Sequence, residues 1–201
     1  MASNAPETTA GSAPALISNT PVPVLMLRGS AALSPFRQAR LMSRVRAALP
    51  LIETVYAEYR HFAALTQELS APELGVLERL LTYGPKLESH APQGDLLLVV
   101  PRLGTISPWS TKATDIAQHC TLKKVRRLER GVAWFVSKRG GAAMTADERR
   151  QVAALVHDRM TESVLAGFDE VATLFRVESP TPLSTVDVLT GGHAALVTAN
   201  Q

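Results

Sequence analysis

Two carboxylates occupy the positions from which this sequence could most readily do acid–base chemistry. Glu58 and Glu129 stand at similar places in two long segments that are rich in β-branched and aromatic residues. A pair of carboxylates held close together can act as general acid and general base. The simpler interpretation, which we favour, is that both are surface residues on a polar face of a sheet.

Histidines and the single cysteine are the other reactive side chains, and their spacing argues against a metal or nucleophile site. The sequence contains no C-x-x-C, H-E-x-x-H or glycine-rich phosphate-loop pattern. His119 and Cys120 are neighbours, but neighbouring side chains on a helix point about 100° apart and do not easily share a ligand. We therefore expect Cys120 to be a small buried hydrophobic residue. The five histidines are scattered: His61, His90, His119, His157 and His193.

Basic residues form two groups that could contact phosphate or an acidic partner. Arg37, Arg40 and Arg44 are spaced i, i+3, i+7 and share one face of the first predicted helix. The second group follows the third predicted helix and comprises Lys123, Lys124, Arg126, Arg127 and Arg130. Because the net charge is only +3, we take a solvated basic surface as the default.

The segment Arg130–Val136 resembles a consensus of RNA-binding strands. Val132 stands where that consensus needs a stacking ring. Trp134 and Phe135 are consecutive, so on a strand they would face opposite sides. We therefore expect no nucleic-acid partner; a salt-sensitive affinity for single strands would be the signature of one.

Composition indicates one folded domain preceded by a disordered tail. Hydrophobic residues make up 46% of the 201 residues and charged residues 19%, which allows a substantial core. The longest apolar run, Leu96–Val100, is far shorter than the ~20 residues of a membrane helix, so we expect no membrane partner. One cysteine fits a reducing compartment, and we expect a cytoplasmic location. Residues 1–21 lack the regions of a signal peptide and are predicted to be disordered.

The first half of the sequence predicts strand, helix, strand, helix. The short apolar segment Val22–Leu27 indicates a buried strand. Ser34, followed by proline, opens a helix that ends before Pro50. Ile52–Leu65 predicts a long strand, and Ser70 opens a second helix through a capping box with the glutamate three residues later. The predicted apolar stripe of the first helix is Phe36, Leu41, Val45, Ala48 and Leu49.

The second half repeats this order. Asp95–Val100 predicts a strand, Ser107 with its proline opens a helix, and Val125–Val136 predicts a long strand. Thr145 begins a helix through another capping box, and this helix is predicted to run on, bent, to Phe175. The predicted inner positions are Ala113, Ile116, Ala117 and Cys120 in the third helix and Val152, Leu155, Val156 and Met160 in the fourth.

Matching helix starts indicate two similar halves. Ile106–Trp109 repeats Leu33–Phe36 after 73 positions, and the capping boxes at Ser70 and Thr145 are 75 positions apart. We therefore predict an α+β domain, 22–178, of two pseudo-symmetric βαβα halves that form one sheet with the helices on one face. The other face must be polar or covered by something else.

After this predicted domain the sequence changes character. Ser179–Pro182 is typical of a linker. An apolar helical pattern then begins after Gly192 and reaches Gln201 without a helix stop signal. We expect 179–201 to be the helical start of a linker to a further domain, and the sequence to be a piece of a longer chain.

One long stretch resembles a known enzyme family. Pro101–Ala117, followed by Arg127–Gly131, is similar to the signature near the N-terminus of long-form phosphoribosylformylglycinamidine synthase. Further matching segments are Leu27–Ser30, Val55–Tyr59, Leu77–Pro85 and Ser89–Gly94. The resemblance covers roughly Val24–Gln201.

The resemblance implies a fold and an activity. Full-length members make formylglycinamidine ribonucleotide from formylglycinamide ribonucleotide, glutamine and ATP in purine biosynthesis. A synthetase domain binds ATP and Mg²⁺ and a glutaminase domain releases ammonia. Neither domain is in this sequence, so we expect no cofactor and no catalytic residue in this segment. The family's N-terminal domain is similar to a dimer of the small S subunit of the three-part enzyme, which two βαβα halves would mimic.

Two roles are compatible with this resemblance. The first is a non-catalytic assembly and ammonia-route domain, whose partners are the synthetase and glutaminase domains of the same chain. The second is a separately encoded adaptor that resembles the small S subunit and bridges separate synthetase and glutaminase chains. The missing stop signal before Gln201 favours the first.

Candidate substrate-site or domain-interface residues lie in the resembling signature. Arg102 offers a planar guanidinium for a carboxylate or phosphate. Ser107–Ser110 stand at a helix N-terminus, which favours an anion, and Trp109 could be an interface residue. The alternative is that Ser107 only caps and Trp109 only packs. The complete set is Arg102, Ser107, Trp109, Ser110, Lys112, Thr114, Asp115, Glu129 and Arg130.

One position departs from the family pattern. Relatives often carry glycine where this sequence has Thr121, and glycine suits the left-handed end of a helix. Because threonine in that conformation costs about 1 kcal/mol, we expect this helix to end differently.

Overall fold

A computed structural model describes residues 23–84, 92–176 and 183–200. The predicted tail 1–21, the first half of the predicted loop Ser89–Gly94 and the predicted linker Ser179–Pro182 lie outside these ranges. None of the described helices is both long enough and apolar enough to cross a membrane.

Strands and helices alternate along the first two thirds of the chain. The strands are β1 Val24–Ala31, β2 Ile52–Leu65, β3 Asp95–Pro101, β4 Val125–Lys138 and β5 Glu162–Leu165. The α-helices are α1 Pro35–Ala48, α2 Ala71–Leu81, α3 Pro108–His119, α4 Ala146–Val156 and α5 Val188–Ala199. Two 3-10 helices, Arg139–Gly141 and Phe168–Phe175, complete the described elements.

The five strands form one antiparallel sheet in the order β1-β2-β4-β3-β5. The two long strands pair at its centre, from Ile52 opposite Lys138 to Leu65 opposite Val125. Each half of the chain thus contributes its long strand to the centre and its shorter strand outside it. The predicted α+β fold class with a single sheet is confirmed, whereas the pseudo-symmetry of the two halves stays a prediction.

The four helices α1–α4 pack on one face of the sheet, as predicted. At one end of that face, α1 and α4 bury Val45 and Val152 with Trp134 of β4. At the other end, α2 and α3 bury Leu77 and Ala117 against β2 and β4. We call this the helix face.

The opposite face is covered by the 3-10 helix Phe168–Phe175. Val171 and Leu174 of this helix are buried with Phe62 of β2 and Ala133 of β4. This covering satisfies the expectation that the second face is polar or covered, because the apolar positions on that side of the strands are shielded from water.

The helix starts lie where the sequence predicts them. Ser34 and Ser107 each accept a hydrogen bond from the backbone N–H three residues on. Ser70 and Thr145 each form a capping box with the glutamate three residues on. The long strand Ile52–Leu65 has the predicted bounds.

The predicted continuation of the fourth helix to Phe175 is wrong. α4 ends at Val156, and Asp158 then forms a turn in which its carboxylate accepts the backbone N–H of Met160 at 2.8 Å. Met160 is 73% exposed instead of buried. The chain next forms β5, which pairs with β3 and supplies hydrogen bonds to a strand edge that would otherwise be open.

In two helices, residues that were predicted to face the core are exposed. Phe36 is 76% exposed and Ile116 is 52% exposed. Successive helical residues are about 100° apart, so Phe36 lies about 140° from Leu41 and points away from the core side. Ala48 is also exposed, and Cys120 is only half-buried at the end of α3, not a buried core residue.

The expectation that α3 ends differently because of Thr121 is also wrong. Thr121 adopts the left-handed conformation, with φ of 69°, and is the only non-glycine residue with positive φ in the described ranges. Its backbone N–H bonds to Gln118 and the next N–H bonds to Ala117. The helix therefore keeps a glycine-like end despite carrying threonine.

Candidate functional site

Five side chains of the helix face form what we call the Arg130 cluster: Tyr59, His61, Tyr83, Trp109 and Arg130. The guanidinium carbon of Arg130 lies 4.4 Å from the ring centroid of Tyr59 and 5.2 Å from that of Trp109. Arg130 Nη1 donates to the Tyr83 hydroxyl at 3.3 Å. The cation is thus held by two ring faces and one hydrogen bond.

Strand register and helix caps bring the cluster together. Tyr59 and His61 are two residues apart on β2 and so share a face, and Arg130 lies directly opposite His61 on β4. Trp109 comes from the first turn of α3, and its ring centroid lies 5.7 Å from that of His61. Tyr83 follows the end of α2, and its ring meets His61 edge-on at 5.5 Å.

His61 is a buried, neutral member of the cluster. Burial, with a smaller effect of the Arg130 charge, lowers the pKa of His61 to about 4. The Tyr83 hydroxyl accepts from Arg130, so its own proton points to His61 Nε2, 2.6 Å away. His61 then carries its proton on Nδ1. That atom has no hydrogen-bond partner in the described part of the chain, and Gly29 packs so closely that a Cβ there would lie 2.6 Å from the ring.

A cleft of about 360 Å³ opens beside the cluster. It lies where β3 separates from β4, because the pairing of these strands ends at Val99 opposite Val132. Its lining combines the aromatic and cationic side chains with polar groups of the adjoining loop and β5: Tyr59, Ser107, Trp109, Arg130, Thr161 and Glu162. The site is therefore open to ligand or partner groups on one side.

The two carboxylates singled out in the sequence lie on the opposite face and are fully buried, so their interpretation as surface residues is wrong. Glu58 accepts two hydrogen bonds from Arg28 Nε and one from Arg28 Nη2, at 2.7–3.0 Å, and also pairs with Arg60. Glu129 pairs with Arg127 and accepts from the Ser107 hydroxyl at 2.7 Å. Burial of each carboxylate is compensated by charged donors, as burying a charge requires.

These ion pairs also hold the 3-10 helix Phe168–Phe175 on the sheet. The Arg60 guanidinium lies 5.0 Å from the Phe168 ring centroid, and that of Arg127 lies 5.5 Å from the Phe175 ring centroid. The two carboxylates therefore lie beneath this 3-10 helix, and their oxygens accept hydrogen bonds from neighbouring side chains. This arrangement joins the strands to the covering helix, and neither Glu58 nor Glu129 is open to a substrate.

The structure brings together only part of the predicted site. Ser107, Trp109, Ser110, Glu129 and Arg130 lie around the first turn of α3. Thr114 is used within the fold, since its hydroxyl accepts the Leu128 backbone N–H at 2.9 Å. Three others are exposed and outside the cleft lining: Arg102, Lys112 and Asp115.

The exposed candidates have weak local contacts. Arg102 Nη1 donates to the Met160 carbonyl at 3.4 Å. Asp115 lies 3.4 Å from His119, one turn later on α3. Lys112 borders a smaller, mainly apolar groove of about 200 Å³ between α2 and α3.

Sequence reasoning missed three residues of the cluster: Tyr59, His61 and Tyr83. The spacing of Tyr59 and His61 did place both on one face of a predicted strand, which is a usable signal. Nothing in the spacing linked them to Tyr83 or Arg130, which lie 22 and 69 positions after His61. That proximity comes from tertiary packing.

The segment Arg130–Val136 does not have the geometry of an RNA-binding strand. Trp134 and Phe135 point to opposite faces of the sheet, as expected, and both are buried in separate cores. Neither ring can stack on a base. Within the described ranges, no group of three histidine, cysteine, aspartate or glutamate side chains is arranged to hold a metal ion.

One known protein family matches a continuous region of this chain. The family described as formylglycinamide ribonucleotide amidotransferase N-terminal matches residues 58–175. The matched region is more than half of the chain and contains all five residues of the Arg130 cluster. The chain belongs to the N-terminal family of formylglycinamide ribonucleotide amidotransferase, an enzyme of purine biosynthesis.

Proposed function

We propose that this chain is a non-catalytic assembly domain that helps to frame the substrate site or the ammonia route of the full-length amidotransferase. The observation that carries the proposal is the Arg130 cluster with its cleft, which joins tryptophan, tyrosine and arginine, the residue types that dominate protein interfaces. The buried carboxylates Glu58 and Glu129 are paired with arginines, which supports a structural role for these two residues.

The surroundings of the cleft support docking. Loop residues Leu103 and Ile106 and turn residue Met160 are exposed apolar side chains on segments next to the cleft lining. A backbone hydrogen bond of 2.9 Å from Arg102 to Thr161 joins these two segments. Apolar side chains around a cationic and aromatic centre are typical of a surface covered in the assembled protein.

The partners in this proposal are the synthetase and glutaminase domains of the same chain. ATP and Mg²⁺ would bind to the synthetase domain, and this segment would hold neither. Its own contribution would be to position the signature loop Pro101–Ser107 against the synthetase domain. In the alternative, a separately encoded adaptor would make the same contacts without a covalent connection to the synthetase and glutaminase domains. Sequencing the gene past the codon for Gln201 decides between them.

Complementation tests the assembly role directly. This chain, expressed alone, should show no synthesis of formylglycinamidine ribonucleotide. The remainder of the enzyme without its N-terminal domain should be impaired, and adding this chain should restore activity in a saturable way. Turnover by this chain alone, or a remainder that is fully active without it, would contradict the proposal.

A point substitution tests the signature loop. In the full-length enzyme, Arg102→Ala should reduce synthesis while the melting temperature of this domain stays nearly unchanged, because Arg102 is exposed and makes only one long side-chain hydrogen bond. Arg126→Ala, an exposed arginine of β4 outside the cleft lining, is the matched control and should leave activity unchanged. Equal activity of the two variants would argue against a role for the loop.

A further inference from the structure

We propose that the cleft beside Arg130 is an oxyanion-binding site, which takes the carboxylate or phosphate group of a small organic ligand through the Arg130 guanidinium. This site would be a property of the chain itself. It goes beyond the docking role, and its test needs no enzymatic activity.

Arg130 lacks the counterion that other half-buried arginines of the sheet have. Arg28 and Arg60 pair with Glu58, and Arg127 pairs with Glu129. Arg130 forms no ion pair with any described residue, and its side chain makes one hydrogen bond there, to Tyr83. A guanidinium has five N–H donors, so most of its donors remain available.

No carboxylate of the described residues forms an ion pair with Arg130. Glu129, its neighbour in sequence, points to the opposite face and is paired with Arg127. Glu162 lines the cleft, and its carboxylate accepts the backbone N–H of Asp158 at 2.8 Å without pairing with Arg130. His61 is neutral near pH 7 because its pKa is lowered to about 4. The cluster therefore presents a guanidinium that no described carboxylate pairs with.

The contacts of Arg130 hold its guanidinium in place beside the cleft. The guanidinium carbon lies over the rings of Tyr59 and Trp109, and Nη1 donates to the Tyr83 hydroxyl. A guanidinium held in this way offers in-plane N–H groups that match the two oxygens of a carboxylate or phosphate. Because these contacts already restrict the Arg130 side chain in the free protein, a ligand would lose less binding free energy to side-chain ordering.

The size and walls of the cleft define the rest of the ligand. A volume of about 360 Å³ exceeds the needs of a bare ion and lies in the range of small-molecule sites, ~300–1,000 Å³. Val99, Val132 and the rings of Tyr59 and Trp109 supply apolar walls, and Thr161 contributes a polar side chain. A compact organic acid or a phosphate ester with a flat apolar part fits this lining.

Titration of the 201-residue chain, followed by ¹⁵N–¹H spectroscopy, tests the proposal. The Trp109 indole N–H reports on the cleft, and the indole of Trp134, buried in the core, is the internal reference. Inorganic phosphate and sodium benzoate are the probes, and sodium chloride at equal ionic strength is the blank. We expect a saturable shift of the Trp109 signal with at least one probe, and none with chloride. Saturation with phosphate alone, benzoate alone or both assigns the ligand class.

Substitutions identify the binding group. Arg130→Lys keeps the charge but loses the planar fork, and should weaken the apparent affinity by about tenfold or more. Arg126→Lys, on an exposed part of the same strand, should bind like the parent chain. Tyr83→Phe removes the orienting hydroxyl but keeps the ring, and should weaken binding several-fold even if the lysine variant fails to fold.

Three results would overturn the site. They are shifts equal to those with chloride, shifts that never saturate, and equal affinity of the parent, Arg130→Lys and Tyr83→Phe chains. These outcomes are independent of complementation, so a failure of the oxyanion site and a failure of the assembly role can be told apart.

Discussion

At the scale of single residues, buried titratable side chains have different surroundings on the two faces of the sheet. Glu58 and Glu129 are fully buried and paired with arginines, whereas His61 is buried beside Arg130 and its pKa is lowered to about 4. The difference follows from the neighbours. Carboxylates gain from adjacent guanidinium groups, but a histidine gains nothing from a like charge and loses its proton on burial.

His61 should make stability depend on pH in the mildly acidic range. Its pKa is near 6.5 when unfolded and about 4 when folded, so the unfolded chain binds the proton first as the pH falls. Stability is full above pH 6.5 and declines toward pH 4. The free energy of unfolding should drop by about 2 kcal/mol between pH 7 and pH 5, measured by urea denaturation.

The control is His61→Gln, which keeps a polar side chain near Tyr83 but cannot take up a proton in this range. Its stability at pH 7 should be lower than that of the parent chain, yet nearly flat down to about pH 5. A parent-like slope in this variant would mean that another group causes the pH dependence.

Thr121 is a second residue at which one change should have a clear sign. Its left-handed conformation, φ of 69°, strains a β-branched residue, and glycine removes that strain. Thr121→Gly should raise the free energy of unfolding by about 0.5–1 kcal/mol, after allowing for the greater freedom of glycine in the unfolded chain.

The matched variant is Thr82→Gly, at the corresponding end of α2. Thr82 has φ of −88°, so glycine relieves no strain there and should destabilise the chain. Both variants can be compared by thermal denaturation under the same conditions. If Thr121→Gly and Thr82→Gly shift the midpoint in the same direction, the strain argument is incorrect.

At the scale of elements, the two Ser-Pro helices begin alike but are embedded differently. The Ser34 hydroxyl is exposed and accepts one N–H. The Ser107 hydroxyl also accepts one N–H, but it donates to the buried Glu129 carboxylate and thereby joins α3 to β4. The same cap signal thus marks a local helix start in one half and a tertiary contact in the other.

Alanine substitutions should separate these two roles. Ser34→Ala should cost about 1 kcal/mol, the usual value for a lost N-cap. Ser107→Ala should cost about 2–4 kcal/mol, because it also removes a hydrogen bond to a buried charge, worth ~1.5–3 kcal/mol. Urea denaturation of both variants measures the difference, and equal costs would show that the Glu129 contact adds nothing.

At the scale of the whole molecule, the β2–β4 pair is the junction on which both faces depend. The helix-face cores and the Phe62 core on the other face all draw residues from β2 and β4. Each half of the chain alone would therefore expose one long strand edge and the apolar side chains beside it.

Separated halves should fold only in association. Peptides covering 23–84 and 92–176 should each lack the spectrum of a folded monomer, and an equimolar mixture should regain native-like chemical shifts and sediment as a complex. The physical reason is that neither half buries enough apolar surface by itself to offset the entropy of ordering. A stable folded monomer of either half would contradict this dependence.

Much of the fold could be predicted because its signals are local. The caps at Ser34, Ser70, Ser107 and Thr145 and the limits of β2 depend on residues within one or two turns of each position, and they lie where the sequence places them. The buried faces of the helices were predicted less accurately. Phe36 was included in the buried face of α1 but is exposed, because the width of a buried face depends on how the helix packs on the sheet.

The site could be predicted only in part. Trp109, Glu129 and Arg130 were selected from the signature, yet Arg102, Lys112 and Asp115 were selected with them and are exposed outside the cleft. The spacing of Tyr59 and His61 placed both on one strand face, but nothing in the sequence linked them to Tyr83 or Arg130. The convergence of these three residues on Arg130 depends on the β2–β4 register and on where α2 ends.

The sequence by itself determined where the α1–α4 helices begin, the limits of β2 and which family the chain resembles, since each rests on local hydrogen bonding, side-chain periodicity or an ordered run of residues. Only the tertiary structure decided that β5 and the 3-10 helix Phe168–Phe175 replace a long helix, that Glu58 and Glu129 are in buried ion pairs, and that Arg130 faces a cleft with no ion-pair partner among the described residues. The reason is that sheet edges, buried charges and clefts are settled by contacts between residues far apart in the chain, which local preference does not encode.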